Sequence, residues 1–160
     1  MATATLETPL ELLHLQLRTA LTMEDHSLAA LGELKSAAKS AEIKTMFEHH
    51  ADETREQIDN LHKVLGMLDL RDTTAPSPST TGITRQAESL IGKTGDDLLD
   101  QVVLSCALGN EHYEISAYQS LIIPMTAMGL PDARKLLEAN LEQEEHTSEE
   151  LRAILEKVAG

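Results

Sequence analysis
Leu104-Ser105-Cys106-Ala107-Leu108-Gly109-Asn110-Glu111-His112-Tyr113-Glu114-Ile115-Ser116-Ala117-Tyr118-Gln119-Ser120-Leu121-Ile122 is the stretch on which the fold turns. Leu104, Ala107, Leu108, Ile115, Tyr118, Leu121 and Ile122 recur in steps that place them on one face of an α-helix. Glu111 and Glu114 occupy the middle of that face. A helix with acids at the centre of its apolar stripe either turns them to water or meets a counter-charge inside the protein.

The same interruption occurs three more times. A first helix, expected over 9–38, opens at Thr8-Pro9-Leu10-Glu11, where Thr caps, Pro takes the first helical position and Glu follows three residues after the cap. Its stripe of Leu10, Leu13, Leu17, Leu21, Leu28 and Leu31 is broken by Glu24. A second helix, over 41–68, carries Ile43, Met46, Phe47, Leu61, Val64 and Leu68 around a polar middle of His50, Glu53 and Gln57. The quoted stretch belongs to a third helix over 96–127, entered at Asp96-Asp97, which Pro124 is expected to kink or end. A fourth, over 132–158, aligns Leu137, Leu141, Ser148, Leu151, Leu155 and Val158 with Glu144 at its centre.

Tight turns join the first helix to the second and the third to the fourth. The turn-rich segment 69–95, with a possible short helix at Ile83 to Ile91, makes the one long connection. This order predicts an all-α, single-domain chain over 1–160: a ferritin-like antiparallel four-helix bundle with a crossover between the second and third helices. An ordinary bundle with a floppy insertion is the alternative topology. Composition agrees with a helical, aliphatic core, since hydrophobic residues make up 41% of the 160 residues and aromatics only 2%.

The formal charge of −14, from 27 acidic and 13 basic side chains, disfavours nucleic acid phosphates and anionic membranes as partners and leaves cations welcome. No apolar run is long enough for a membrane span. The lone Cys106 forms no intramolecular disulfide, and the start Met-Ala-Thr-Ala-Thr lacks a secretory pattern, so the cytoplasm is the expected location.

Midpoints of antiparallel helices of similar length lie at similar heights, so Glu24, Glu53, Glu111, Glu114 and Glu144 are expected to converge in one layer. Several unpaired carboxylates cannot share a dry interior, because desolvation and mutual repulsion oppose their charges. Arg18, Lys44, Arg55 and Arg152 do not fall at the stripe centres, which leaves metal cations as the best counter-charge. Carboxylates with a few imidazoles suit iron or manganese, one or two ions. His50, three residues before Glu53, is the imidazole expected to point inward. His14, His26, His49, His62 and His146 read as surface residues, and His112 as an exposed neighbour of the site. Tyr118 reads as core filling, with a bond to a carboxylate as the alternative.

The segments Met46-Phe47-Glu48-His49-His50-Ala51-Asp52-Glu53-Thr54-Arg55-Glu56-Gln57 and Asn110-Glu111-His112-Tyr113-Glu114-Ile115-Ser116-Ala117-Tyr118 resemble the YciF/YciE family of ferritin-like bacterial proteins. The resemblance runs from Leu10 to about Leu155, and Glu-His-Tyr-Glu-Ile is its most specific part. It implies a four-helix bundle with a carboxylate-rich metal site, frequent dimers and a link to stress responses. Glu24, Glu53, Glu111 and Glu144 carry over by this resemblance as metal ligands, with His50 and Glu114 at family positions beside them. The pair Glu111 and Glu114 also resembles the third helix of rubrerythrins. One departure stands out: the di-iron pattern sets His three residues after Glu, yet Glu56 follows Glu53 and Thr147 follows Glu144. Position 148, often acidic in a related pattern, is Ser148.

Together these features lead to the expectation of a metal-binding stress protein with peroxide or oxygen chemistry at a carboxylate-bridged site. No catalytic residue is singled out. A metal-free helical structural or interaction protein with a decayed site is the second expectation, motivated by the missing imidazoles. A hollow storage shell is the third, with nothing in the sequence to supply its many interfaces.

Overall fold
A computed structural model describes residues 4–160, and 1–3 lie outside the described residues. Its regular structure is helical: α1 spans Pro9–Ala37, α2 Ala41–Met67, α3 Pro78–Gly92, α4 Leu99–Ala127 and α5 Pro131–Ala159. No strand occurs among the described residues.

Local chemistry sets the helix ends. Thr8 Oγ1 accepts from the Glu11 backbone N–H at 3.1 Å, while Glu11 Oε2 accepts from the N–H groups of Thr8 at 3.0 Å and Glu7 at 2.8 Å. The Glu7 and Thr8 amides hold the Glu11 carboxyl below the usual range. At the far end of α4, Gly129 takes φ +69° and the Leu130 N–H returns to Met125 O at 3.1 Å. α2 closes in the same way, with Asp69 at φ +53° and the Leu70 N–H on Leu65 O at 2.9 Å.

α4 runs through Pro124 to its expected end at Ala127, so the proline does not end it. Two elements differ from the sequence expectation. A 3-10 turn at Asp96–Leu98 precedes α4, where the third helix was expected to begin as an α-helix. The crossover helix starts at Pro78 rather than Ile83, because Pro is as favourable at a first helical position as in a turn.

Two apolar clusters hold the molecule. In one, Leu13, Leu17 and Leu21 of α1 meet Leu61 and Leu65 of α2, Leu121 and Met125 of α4, and Leu137 of α5. In the other, Leu31 and Leu34 of α1 meet Ile43 and Phe47 of α2, Val103 and Leu104 of α4, and Leu151 of α5. The start of α1 therefore lies beside the end of α2, and the end of α4 beside the start of α5, so each pair is antiparallel. α1 packs on α2 and α4, α5 packs on the same two, and α3 lies on α1 and α4.

The crossover is fastened along one face of α1 at four-residue intervals. His14 Nε2 lies 2.9 Å from Arg71 O, Arg18 donates to Thr74 O at 3.0 Å, Thr22 donates to Ala75 O at 2.6 Å, and His26 Nδ1 lies 2.8 Å from Thr80 Oγ1. His14 and His26 are thus half-buried, not surface residues: each ring seats a piece of the crossover. Some stripe positions also move. Leu10 and Val158 are 42% exposed, whereas Asn140 and Thr147 are buried, because the interior beside the middle of α5 is polar.

Candidate metal centre
Between the two apolar clusters lies a layer of buried polar side chains. α1 supplies Glu24 and Ser27, α2 His50, Thr54 and Gln57, α4 Glu111 and Glu114, and α5 Asn140, Glu144, Thr147 and Ser148. Each sits at the apolar period of its helix, so the folding that buries the leucines above and below buries these groups too.

Oxygen atoms of Glu24, Glu114 and Glu144 lie within 4.8 Å of one another. These three acids come from α1, α4 and α5. Glu111, one turn from Glu114 on α4, is also buried. Glu53 of α2 is at the rim, with its side chain 15% exposed. Its Oε1 lies 3.3 Å from both His50 Nδ1 and His49 Nε2. All six expected site residues therefore occupy one region, the triad at its centre and His50 with Glu53 on the α2 side.

The electrostatics follow from this crowding. Burial first, and then the charge of Glu144, push the carboxyls of Glu24, Glu111 and Glu114 well above the carboxylate range. Burial also raises the Glu53 carboxyl, with the His49 charge opposing it. Burial, helped by the charges of His49 and His146, lowers the His50 imidazole to about 4, so the ring is neutral and available as a donor.

Neighbouring groups orient the acids. The Tyr118 hydroxyl donates a short hydrogen bond to Glu24 Oε1 and accepts from Asn140 Nδ2 at 3.1 Å. Tyr118 thus fills the core and bonds the carboxylate as well. Asn140 is fixed in turn by Asn60 Nδ2 on its Oδ1 at 2.8 Å and by Gln57 O at 3.2 Å from its Nδ2. Thr147 Oγ1 lies 3.1 Å from His50 Nδ1, so the position lacking an imidazole on α5 is occupied by a hydroxyl facing the imidazole of α2. Asn140 escaped the sequence reading because it is not apolar, and Thr147 was noted there only as a missing imidazole, although both share a face with Glu144 at spacings of four and three.

Several buried atoms remain without any hydrogen-bond partner: Glu24 Oε2, Glu111 Oε2, Glu114 Oε1 and His50 Nε2. Such atoms are costly in a dry interior, and the convergence of Glu24, Glu114 and Glu144 fits a cation held by oxygen donors.

Fold and centre together define an all-helical protein with a buried acidic layer. The chain belongs to the family described as "Domain of unknown function (DUF892)", which matches residues 8–160, and it is YciF-like. It is 28% identical over 120 residues to protein YciF of Escherichia coli strain K12, covering 74% of this chain and 72% of that protein. The solved structure of YcfI from Rhodopseudomonas palustris, for which a structural role has been put forward, superposes with a TM-score of 0.91 at 25% identity, covering 95% of this chain and 98% of that one. The structure of the E. coli stress protein YciF superposes with a TM-score of 0.91 at 24% identity, over 96% and 98% of the two chains, a likeness of fold. No helix among the described residues is long and apolar enough to cross a membrane.

Proposed function
We propose that this chain is a ferritin-like four-helix bundle whose buried carboxylates bind one or two iron or manganese ions in a bacterial stress response. The observation that carries the reading is the triad of Glu24, Glu114 and Glu144, buried and within 4.8 Å of one another, with unpartnered oxygens on two of the three. Glu24, Glu114 and Glu144 would hold an ion, and any second ion would draw on Glu111, Glu53 and His50 at the edge of the triad. Bound iron or manganese supplies the change of oxidation state that peroxide or oxygen chemistry needs. Tyr118 fixes the orientation of Glu24, and the two leucine-rich clusters keep bulk water from the layer. A homodimer is the proposed form, on the strength of the family resemblance, and the lone Cys106 supports the cytoplasm as the proposed location. The reference to stress in the description of YciF supports the physiological part of the reading.

Metal analysis of native protein, with anomalous scattering at the iron and manganese edges, tests the proposal. The expected result is an ion among Glu24, Glu114 and Glu144. Protein free of metal that also takes up neither iron nor manganese during anaerobic reconstitution would overturn it. The missing imidazoles at Glu56 and Thr147 favour a second reading, a metal-free structural protein in which protonated acids hold the layer. That reading expects Glu53→Ala and Glu111→Ala to leave metal content unchanged and alter only stability or oligomeric state.

A further inference from the structure
On one flank the acid layer is covered by α3, which lies across the seam of α1 and α4. Two spaces run beneath this helix. The outer one, about 250 Å³, is a groove between Ile83, Gln86, Ala87 and Leu90 of α3 and Cys106 and Gly109 of α4. The inner one is a void of about 20 Å³, bounded by Ile83, Ala87 and Cys106 again and, further in, by Ser27, Asn110 and Glu111. The three shared residues mark where groove and void meet, so the two form one path from the surface inward.

The path ends on an acid that lacks a partner. Glu111 is 5% exposed, and its Oε2 has no hydrogen bond. Beside it Asn110 Nδ2 donates to Ser27 Oγ at 3.3 Å, joining α4 to α1. Three residues further along the same buried face of α4 stands Glu114, an acid of the triad. No charged side chain lines the path before Glu111, so ions would shed their water against an apolar wall at high cost. A void of about 20 Å³ admits roughly one water-sized molecule at a time. The traveller is therefore small and uncharged, and the unpaired carboxyl oxygen at the inner end favours one that donates a hydrogen bond. Dioxygen has no such donor. Cys106 is half-buried, and burial raises its thiol, which stays protonated and does not consume an oxidant passing it.

We propose that the groove and void under α3 are the entry passage for hydrogen peroxide, which donates a hydrogen bond to Glu111 Oε2 at the inner end. The outer mouth offers a clean way to close it. Gly109 lines the groove, and a Cβ built on it meets nothing within 4 Å. A larger side chain there fills the groove without a clash, and replacing a glycine inside a helix favours folding.

This inference rests on the proposed metal centre, and two measurements separate their failures. The first uses metal-free full-length protein and follows methylthiolation of Cys106 by methyl methanethiosulfonate, a small neutral reagent, at pH 8. Gly109→Leu is expected to slow it about tenfold, and Gly109→Ala to leave it near the wild-type rate. The second loads the same proteins anaerobically with iron(II) and mixes them with hydrogen peroxide in stopped flow. Two iron(II) ions give up one electron each, and one peroxide with two protons leaves as two waters. Gly109→Leu is expected to slow this oxidation about tenfold at unchanged iron content, and tert-butyl hydroperoxide to oxidise the wild type far more slowly than hydrogen peroxide does. Cys106 labelling that Gly109→Leu does not slow overturns the passage. Slowed labelling with unslowed iron oxidation also overturns it and leaves the centre standing, as does equal reactivity toward the two peroxides. A wild type that takes up no iron overturns the centre and the passage together.

Discussion
Tyr118 is fully buried, and its hydroxyl fixes which oxygen of Glu24 stays free for a ligand. Replacing Tyr118 with Phe keeps the packing and removes one donor from a buried carboxyl. Without metal, the variant is expected to lose about 1–3 kcal/mol of stability, the usual effect of leaving a buried polar atom unpaired. Urea unfolding measures this directly. If the proposed centre forms, saturating manganese reduces the deficit, because the ion then satisfies Glu24. An unchanged urea midpoint in metal-free protein would mean that the bond contributes nothing to the fold.

Two helix endings share one geometry and differ in residue. Gly129 after α4 and Asp69 after α2 both adopt the left-handed conformation, at φ +69° and +53°. Gly129→Ala is expected to destabilise by about 1 kcal/mol, and Asp69→Gly to stabilise by a few tenths up to about 1 kcal/mol. Thermal unfolding of the two variants under matched conditions would show shifts of opposite sign. The start of α1 was legible in the sequence because its chemistry is local: Thr8-Pro9-Leu10-Glu11 needs only its own residues to cap a helix. The acid at the centre of each stripe was legible for a similar reason, since periodicity alone aligns Glu24, Glu111, Glu114 and Glu144 with leucines. The inward partners were not. Asn140 and the hydroxyl of Thr147 acquire their roles from residues on other helices, and no spacing along one helix encodes that; for Tyr118 the sequence offered a carboxylate bond only as the alternative to core filling. The start of the crossover helix was hidden because Pro76, Pro78 and the surrounding Ser and Thr serve turns and helix starts equally well.

At the scale of the whole molecule, the acid layer makes stability depend on pH. Glu24, Glu111 and Glu114 are raised in the folded protein well above their ordinary value of 4.5, so the native state binds more protons than the unfolded one above that pH. Their contribution is complete below 4.5 and is lost as pH rises toward the folded values. His50 acts in the opposite sense: it is lowered from 6.5 to about 4, so its contribution is present above 6.5 and is lost as pH falls toward 4. Three acids outweigh one imidazole. Metal-free protein in chelator should therefore melt at a lower temperature at pH 8 than at pH 5.5, and Glu114→Gln should lessen that difference; calorimetry across this range checks both. The crossover adds a directional consequence. Because His14, Arg18, Thr22 and His26 stitch it to α1, and α3 bridges α1 to α4, the two helical hairpins are bound along one edge like the leaves of a book. When repulsion among the acids forces the leaves apart, that edge is the spine, and the protein opens along its fore-edge, between α2 and α5.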